Sequence, residues 1–412
     1  MGDGPTVTVA AADDKSIDMT RAAGTAALGI FLLLTISGRG QDLLPSPARM
    51  ALVLAWPAAL LLYALSNRVS VVVGYCIAGG FVLRWVDFFP GGGSDVLPAT
   101  AEAIATTLAG GNPYAHWYVS ERPASDNFPY PPIEMLNHLP GYLVTGLTGV
   151  RFTEVIAALL VMVAFAWLAR RISITAALPA LALYAALPNL VNLSVDAGND
   201  TSTGAMLLLA VLAAAWAAER GFDQNALVAA GLAAGLAAGT KQTTVFAVIL
   251  LAAFVWHRAG RRAATRYVAA AVLLLGLSAL PFMVMDPGRF VLMTAGQLGA
   301  HDSVYGWNLW VFAQWMGWPI LDVRSAAILV LAATGLATMV MLAFNQERLA
   351  SATLAGVVVT LVALLAARWT AYSYFAVVVP VILALPALVM WDALHPPPLR
   401  AAPQPGTATL ST

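Results

Sequence analysis

Long apolar segments recur along the whole chain, and they limit its possible folds more than any other feature. A membrane-crossing helix needs about 20 mostly apolar residues. The candidate segments are 22–38, 49–66, 69–86, 152–169, 174–193, 201–218, 242–257, 267–286, 325–344, 350–367 and 371–391, with a shorter Ala/Gly-rich one at 225–240. Only 10% of the residues are charged, against roughly 25% in soluble domains. The pattern predicts an all-α polytopic membrane protein with about twelve transmembrane helices.

The composition also excludes several functional classes. The formal net charge is zero, which argues against a nucleic-acid partner. The single cysteine, Cys76, excludes an intramolecular disulfide framework and a cysteine metal cage. The chain contains no Walker loop, HExxH zinc motif or GxSxG nucleophile elbow. Nothing in the sequence therefore requires a nucleotide, a metal or a cofactor.

The placement of Arg and Lys predicts the orientation, because cytoplasmic loops are enriched in both. The densest basic cluster, 257–266 (HRAGRRAATR), and the pair Arg170-Arg171 should face the cytoplasm. With these segments inside, the unusual polar sequence falls on the outer face. Frequent Ala, Gly, Val and Arg, with only two Lys, suggest a GC-rich bacterial genome, and the expected location is the bacterial plasma membrane.

This orientation predicts a cytoplasmic tail, one transmembrane domain, two large outer loops and a disordered cytoplasmic tail. Their bounds are 1–20 for the first tail, 21–395 for the domain, 87–151 and 287–324 for the loops, and 396–412 for the last tail. Two apolar stretches, 133–148 and 309–320, contain Pro, Gly or His, and we interpret them as interfacial or re-entrant helices. The first outer loop is predicted to carry such helices.

Asp95 is the first candidate for chemistry. It follows a glycine run, and with Ser94 it precedes a helical pattern at 98–109. One interpretation is a simple helix N-cap, a position that favours Asp. The other is a general base, because a carboxylate at the membrane surface can accept a proton from a sugar hydroxyl.

Two proline-containing turns follow in the same loop. They are Asn112-Pro-Tyr114 and Phe128-Pro-Tyr130-Pro-Pro132, and proline makes both rigid. Loop architecture explains the turns without a further role. Tyr114 and Tyr130 are also suited to stacking on a sugar, and Asn112 to binding a hydroxyl.

Two cations are candidates for binding a phosphate. Lys241 lies between two apolar runs, where a cation is costly and therefore suggests a function. An ammonium group suits a phosphate as a compact point charge, whereas snorkelling to the membrane surface is the alternative. Arg368, at the start of the last span, either neutralises a lipid phosphate or anchors the helix at the interface.

Further polar residues are candidates for binding substrate hydroxyls. They are Asp196 and Asn199 between two spans, His301 in the second outer loop and Tyr372 at the start of the last span. Asp200 is interpreted as a cap for the helix that follows. For His301 an ordinary loop turn is an equal alternative.

In order and spacing these motifs resemble the C-type glycosyltransferase superfamily, and within it glycosyltransferase family 87. The matching elements are Ser94-Asp95, the helix 98–109, Gly110-Gly-Asn-Pro-Tyr114, Tyr130-Pro-Pro132, Ala197-Gly-Asn-Asp200 and Gly239-Thr-Lys241. The chain departs from the family pattern in one break, where a Gln is missing and Asp200 is an additional acid.

The resemblance implies an inverting transfer of a sugar, commonly mannose, from a polyprenyl-phosphate donor. The acceptor would be a glycolipid or cell-envelope glycan on the extracytoplasmic face. In this scheme Asp95 is the general base, and Lys241 and Arg368 hold the donor phosphate. A transporter or flippase of a lipid-linked sugar is the alternative function, and a non-catalytic membrane scaffold is a third. The transporter does not account for the ordered loop around Asp95, and the clustering of polar residues on one face argues against the scaffold.

Overall fold

The computed structural model describes residues 10–37, 47–88, 94–121, 125, 128–196, 198–294 and 304–397. These residues form the helices α1 (Ala10–Ser37), α2 (Pro47–Ser66), α3 (Val69–Phe88), α4 (Val96–Leu108), α5 (Pro132–Thr145), α6 (Leu147–Arg171), α7 (Ile174–Ala186), α8 (Pro188–Leu193), α9 (Asp200–Glu219), α10 (Gln224–Thr240), α11 (Val245–Met285), α12 (Pro287–Thr294), α13 (Leu309–Trp315), α14 (Val323–Ala343), α15 (Leu349–Ala366) and α16 (Val379–Leu394). They also form 3₁₀ helices at Pro113–Ala115, Gln242–Thr244 and Tyr372–Val377. Two short parallel strands, β1 (Tyr305–Gly306) and β2 (Trp369–Thr370), pair with each other.

The helices are those of an all-α polytopic membrane protein. Within the described residues, nine helical segments are long and apolar enough to cross a membrane. Two shorter apolar helices among the described residues are α4 and α7, each with 13 residues. The long α11 is interrupted at Gly260, where the chain reverses direction, and therefore consists of two helices. The all-α polytopic architecture that the sequence predicts is confirmed, whereas the number of about twelve transmembrane helices stays a prediction.

The chain reverses direction inside α11. Gly260 has a φ of 82°, which glycine adopts at little cost. The backbone of Gly231 in α10 lies against Tyr267 in the second half of α11. A straight helix would place Tyr267 about 33 Å from Val245, too far to lie beside α10, which ends just before Val245. The two halves of α11 therefore form a helical hairpin.

A buried arginine joins α3 to the end of α7. The sequence predicts one span over 174–193, but the helix breaks at Pro188, which has no backbone N–H to donate to the carbonyl of Tyr184. Arg84 supplies donors instead. Its Nη2 donates to the carbonyl oxygen of Tyr184 (3.0 Å), and its Nη1 donates to that of Ala185 (2.8 Å). Arg84 is thus a structural residue that satisfies the end of α7.

We expect Arg84→Met to destabilise the protein by about 2–5 kcal/mol, because each buried carbonyl left without a donor costs about 1–3 kcal/mol. Thermal unfolding of the purified protein in detergent measures the effect. The stability of Arg84→Lys should lie between those of the wild type and Arg84→Met, since an ammonium offers donors without the planar guanidinium geometry. An Arg84→Met protein as stable as the wild type would contradict this role.

Hydrogen bonds group the predicted cytoplasmic segments at one end of the bundle. Arg258, in the basic cluster, donates to the carbonyl oxygen of His395 beyond α16. Asp392 in α16 accepts from the backbone N–H of Leu349 at the start of α15 (2.8 Å). The basic cluster, the start of α15 and the end of α16 therefore meet at the same end of the bundle.

The first large loop is mostly helical, and its second helix folds back on α6. α5 ends at Thr145, and α6 begins at Leu147, with only Gly146 between them. Gly141 and Gly149 lie backbone to backbone, so that a Cβ on either would overlap the other chain segment. This close approach places α5 and α6 side by side and aligns their buried faces.

Candidate active site

A buried ion pair lies at the centre of the candidate site. Lys241 Nζ is 2.5 Å from Asp200 Oδ1 and 3.2 Å from Asn199 Oδ1. The ring of Tyr374 covers the ammonium group, with its centroid 3.9 Å away. Lys241 is only 4% exposed, so its side chain points into the protein. The alternative in which Lys241 snorkels to the membrane surface is therefore wrong.

Helix ends bring these residues together. α9 begins at Asp200, and Lys241 directly follows the last residue of α10, so the ion pair joins the start of one helix to the end of the next. Asn199 occupies the N-cap position of α9. The predicted capping role of Asp200 is therefore wrong, and its carboxylate is directed to Lys241 instead.

The turn Phe128-Pro-Tyr130-Pro-Pro132 places an aromatic ring beside the ion pair. Gln242, which follows Lys241, donates from Nε2 to the carbonyl oxygen of Pro129 (2.9 Å). The ring centroid of Tyr130 lies 6.0 Å from Lys241 Nζ, and Tyr130 is 7% exposed. The rigid turn predicted from the prolines thus forms one wall of the site.

Asp95 lies near the same wall. It is partly buried at the N-terminus of α4, but its side chain makes no capping hydrogen bond to the described residues of that helix. The backbone N–H of Ser94 donates to the carbonyl oxygen of Asp196 (3.0 Å). Burial raises the pKa of the Tyr130 hydroxyl well above its ordinary value, and the charge of Asp95 acts in the same direction. Asp95 is therefore within electrostatic range of Tyr130.

The edge of the site contains two further predicted residues. Tyr372 is 51% exposed and lies within electrostatic range of Asp196 and Asp200. Asp196 is itself partly exposed. Both side chains are accessible beside the buried ion pair.

Other predicted site residues have structural contacts. Asn112 Oδ1 accepts from the backbone N–H of Tyr114 (3.0 Å), and the buried Tyr114 donates its hydroxyl to the carbonyl oxygen of Tyr130 (2.9 Å). Arg368 is buried beside the strand pair, where Nη1 donates to the carbonyl oxygen of Leu321 (3.4 Å). His301 lies outside the described residues.

The comparison with known families bears on this arrangement. Residues 143–284 match the family model described as dolichyl-phosphate-mannose-protein mannosyltransferase. The matched part is about a third of the chain, and it includes the ion pair of Asp200 and Lys241 but not Asp95. No curated protein and no solved structure gives a significant match.

The chain is a membrane glycosyltransferase. The family match and the apolar helices support the C-type superfamily that the sequence motifs resemble. They do not single out family 87 within that superfamily.

Three buried titratable residues of this glycosyltransferase are not among the residues that the sequence predicts for the site. They are Glu134 and His138 in α5 and Glu154 in α6. The Glu-x-x-x-His spacing of Glu134 and His138 predicts that both side chains lie on the same face of a helix. Glu154 follows His138 by 16 residues, and only the hairpin of α5 and α6 brings it close.

The residues that the structure describes form no recognisable metal site. Among the residues that the structure describes, no group of three or more His, Cys, Asp or Glu side chains is placed to hold a metal ion. The absence of a metal or cofactor requirement in this glycosyltransferase stays a prediction.

Proposed function

We propose that this glycosyltransferase transfers a sugar, most simply mannose, from a polyprenyl-phosphate donor to a lipid-linked or cell-envelope glycan. The reaction inverts the anomeric centre and takes place on the extracytoplasmic face of a bacterial plasma membrane. The observation that carries the proposal is the buried pair of Lys241 and Asp200 beside the ring of Tyr130. The segment of Ser94 and Asp95 is joined to the neighbouring Asp196 by a backbone hydrogen bond. The name of the matching family, which specifies a dolichyl-phosphate-mannose donor, supports it.

In this scheme Asp95 is the general base. Its carboxylate accepts the proton of the acceptor hydroxyl while that oxygen attacks the anomeric carbon of the donor. The bond between this carbon and the phosphate oxygen breaks, and polyprenyl phosphate leaves as an anion. The partial exposure of Asp95 lets an incoming hydroxyl reach the carboxylate, and a well-placed base contributes about 10²–10⁴-fold to the rate.

The leaving phosphate needs cations nearby, because they stabilise the charge that develops in the transition state. Lys241 has three N–H donors, and Asp200 and Asn199 accept from two of them. The third donor is used by neither of these two residues and would serve the phosphate. Arg368 is the second proposed ligand, and its guanidinium group suits bidentate phosphate binding.

Two apolar grooves flank α5 and offer paths for the lipid chains of the substrates. One, of about 370 Å³, lies between α5 and the second half of α11, where Met135 faces Phe282. It includes Pro132, two residues beyond Tyr130. The other, of about 640 Å³, lies between α5, α6 and α3, and Pro140 and Phe152 line it. Both are dominated by apolar side chains, as an isoprenoid chain requires.

A transfer assay with the full-length protein in lipid nanodiscs tests the proposed donor. We expect labelled sugar to move from polyprenyl-phosphate-mannose, or from its arabinose counterpart, to an envelope glycolipid extract. A nucleotide sugar should give no product, because the sequence has no nucleotide-binding motif. Transfer from the nucleotide sugar and none from either lipid donor would overturn the proposal.

The same assay distinguishes the acceptors. The name of the matching family specifies a protein acceptor, whereas the proposal here is a glycan. Parallel reactions with a glycolipid extract and with Ser- and Thr-containing peptides separate the two. Label on the peptide alone would change the acceptor class and leave the donor assignment in place.

The proposed sidedness predicts opposite labelling of two introduced cysteines. Val119 is 75% exposed in the first outer loop, and Arg261 lies in the exposed basic cluster. A membrane-impermeant maleimide should label Val119→Cys in intact cells and Arg261→Cys only after permeabilisation. The native Cys76 is buried and keeps the background low. Labelling of both positions from the same side would reject this orientation.

A further inference from the structure

Glu134, His138 and Glu154 are buried together beside the ion pair, although the proposed chemistry uses none of them. Glu134 and His138 lie one turn apart on α5, and both are 0% exposed. Glu154 faces them from α6 and is 1% exposed. Burying three titratable groups is costly unless they interact with one another. We call these residues the buried triad.

The histidine ring meets acceptors on both sides. His138 Nδ1 is 2.9 Å from the backbone carbonyl oxygen of Glu134, which can only accept. Nε2 is 3.0 Å from Glu154 Oε1. The carboxylate Oε1 of Glu134 also lies 3.2 Å from Nδ1. Two protonated ring nitrogens satisfy this arrangement, so the geometry fits an imidazolium ion between two carboxylates.

The electrostatic balance agrees with the geometry. Burial by itself lowers the pKa of His138, because it disfavours the charged ring. The carboxylates of Glu134 and Glu154 more than offset this effect, and they raise the pKa of His138 above its ordinary value of 6.5. A raised pKa favours the protonated, charged ring at neutral pH.

Glu154 connects the buried triad to the active-site cluster. Its Oε2 accepts from the backbone N–H of Ser202 (2.9 Å), in the first turn of α9. A negative charge at a helix N-terminus is favourable. α9 begins at Asp200, the partner of Lys241. The buried triad therefore holds the helix end that supplies the carboxylate of the ion pair.

Glu134 adds a second connection, to Asn199. Among the described residues, neither carboxylate oxygen of Glu134 has a hydrogen-bond partner, and neither does Nδ2 of Asn199. Asn199 is fully buried, and its Oδ1 accepts from Lys241. Burial raises the pKa of Glu134, whereas the side chain of Asn199 and the charge of Lys241 both act to lower it.

We propose that Glu134, His138 and Glu154 form a positioning triad, with His138 held as an imidazolium, that sets the first turn of α9 and so the placement of Lys241. The catalytic consequence rests on the proposed function. None of the three contacts the substrates in this scheme, and each acts through Asn199, Asp200 and Lys241. A displacement of about 1 Å in such a group is enough to reduce a rate by about 10²-fold.

A double-mutant cycle on the full-length protein in nanodiscs tests the positioning role. His138→Gln and Glu154→Gln should each lower kcat per folded molecule by about 10²-fold. The two changes together should cost little more than one, because residues that act as a unit are not additive. Losses in kcat that multiply, or variants with the kcat of the wild type, would overturn the proposal.

The partly exposed pair His116 and Glu102 provides a matched control. His116 Nε2 is 2.9 Å from Glu102 Oε1, and their side chains are 34% and 20% exposed. His116→Gln and Glu102→Gln remove an imidazole and a carboxylate, as His138→Gln and Glu154→Gln do, and the distance between the paired atoms is nearly the same. We expect them to change kcat by less than about fivefold, since partly exposed pairs are weak.

The protonation of His138 is measured independently of activity. The chain has five histidines, and ¹⁵N labelling distinguishes an imidazolium from a neutral ring. The signal that disappears in His138→Gln identifies His138, and in the wild type it should be that of an imidazolium at neutral pH. In Glu154→Gln the same histidine should give the signal of a neutral ring. A neutral ring in the wild type would overturn the proposal.

If His138→Gln does not fold, Glu134→Gln replaces it in both measurements. Glutamine has nearly the same shape as glutamate, and both hydrogen bonds of His138 remain because they go to the backbone of residue 134 and to Glu154. We expect a smaller imidazolium fraction and a lower kcat. A protein unchanged in both respects would contradict the role of the Glu134 charge.

The two proposals fail in different ways. A wild-type protein that transfers sugar from a lipid donor, but has a neutral His138, retains the proposed function and loses the positioning triad. A wild-type protein inactive with every lipid donor loses the proposed function. In that case the ¹⁵N spectra of the wild type and of Glu154→Gln still decide the triad.

Discussion

Asp95→Asn is expected to reduce sugar transfer by about 10²–10⁴-fold, the contribution of a positioned general base. The amide cannot accept the proton of the acceptor hydroxyl, but it has nearly the same shape as the carboxylate. Asn is also as good an N-cap as Asp. The fold should therefore survive, and turnover with a radiolabelled polyprenyl-phosphate sugar measures the loss.

Asp322 is the matched control for Asp95. It occupies the N-cap position of α14, where Oδ1 accepts from the backbone N–H groups of Arg324 (3.0 Å) and Ser325 (3.1 Å). It is thus an aspartate that acts as a cap, which the side chain of Asp95 does not do in α4. Asp322→Asn should leave transfer unchanged. Near-normal turnover of Asp95→Asn, with thermal stability equal to that of the wild type, would reject Asp95 as the base.

Much of the architecture could be predicted from the sequence, because a bilayer permits few solutions. Backbone groups in the hydrocarbon region must be satisfied within a helix or a closed barrel, so each apolar run of sufficient length indicates a helix. The basic clusters then determine which loops share a face. The convergence of Ser94 with Asp196, and of Asn199 with Lys241, follows from loops that the sequence already assigns to the same end.

Partners within the site could not be predicted, because they depend on how the helices pack. Lys241 and Asp200 are 41 residues apart, and no local pattern pairs them. Tyr114 has the sequence context of a sugar-stacking residue, but its ring is packed against Phe128, Phe282 in α11 and Phe290 in α12. An apolar segment with a Glu-x-x-x-His spacing likewise gives no indication that a second glutamate faces it.

Lys241→Ala is expected to destabilise the protein by about 3–5 kcal/mol, because it leaves the buried carboxylate of Asp200 without its cation. It should also abolish transfer, so this variant alone does not separate stability from catalysis. Lys241→Met combined with Asp200→Leu makes the separation. Replacing a buried ion pair by apolar residues of similar volume is often neutral for stability, and we expect most of the lost stability to return.

Transfer should remain lost in the paired variant, because a thioether cannot stabilise the leaving phosphate of the donor. Thermal unfolding in detergent and turnover with the lipid donor are measured on the same preparations. The exposed pair of Arg220 and Asp223, with Nε 2.6 Å from Oδ2, is the control, and Arg220→Ala should leave both quantities unchanged. If the paired variant regains transfer together with stability, Lys241 holds the fold together and has no part in binding the phosphate.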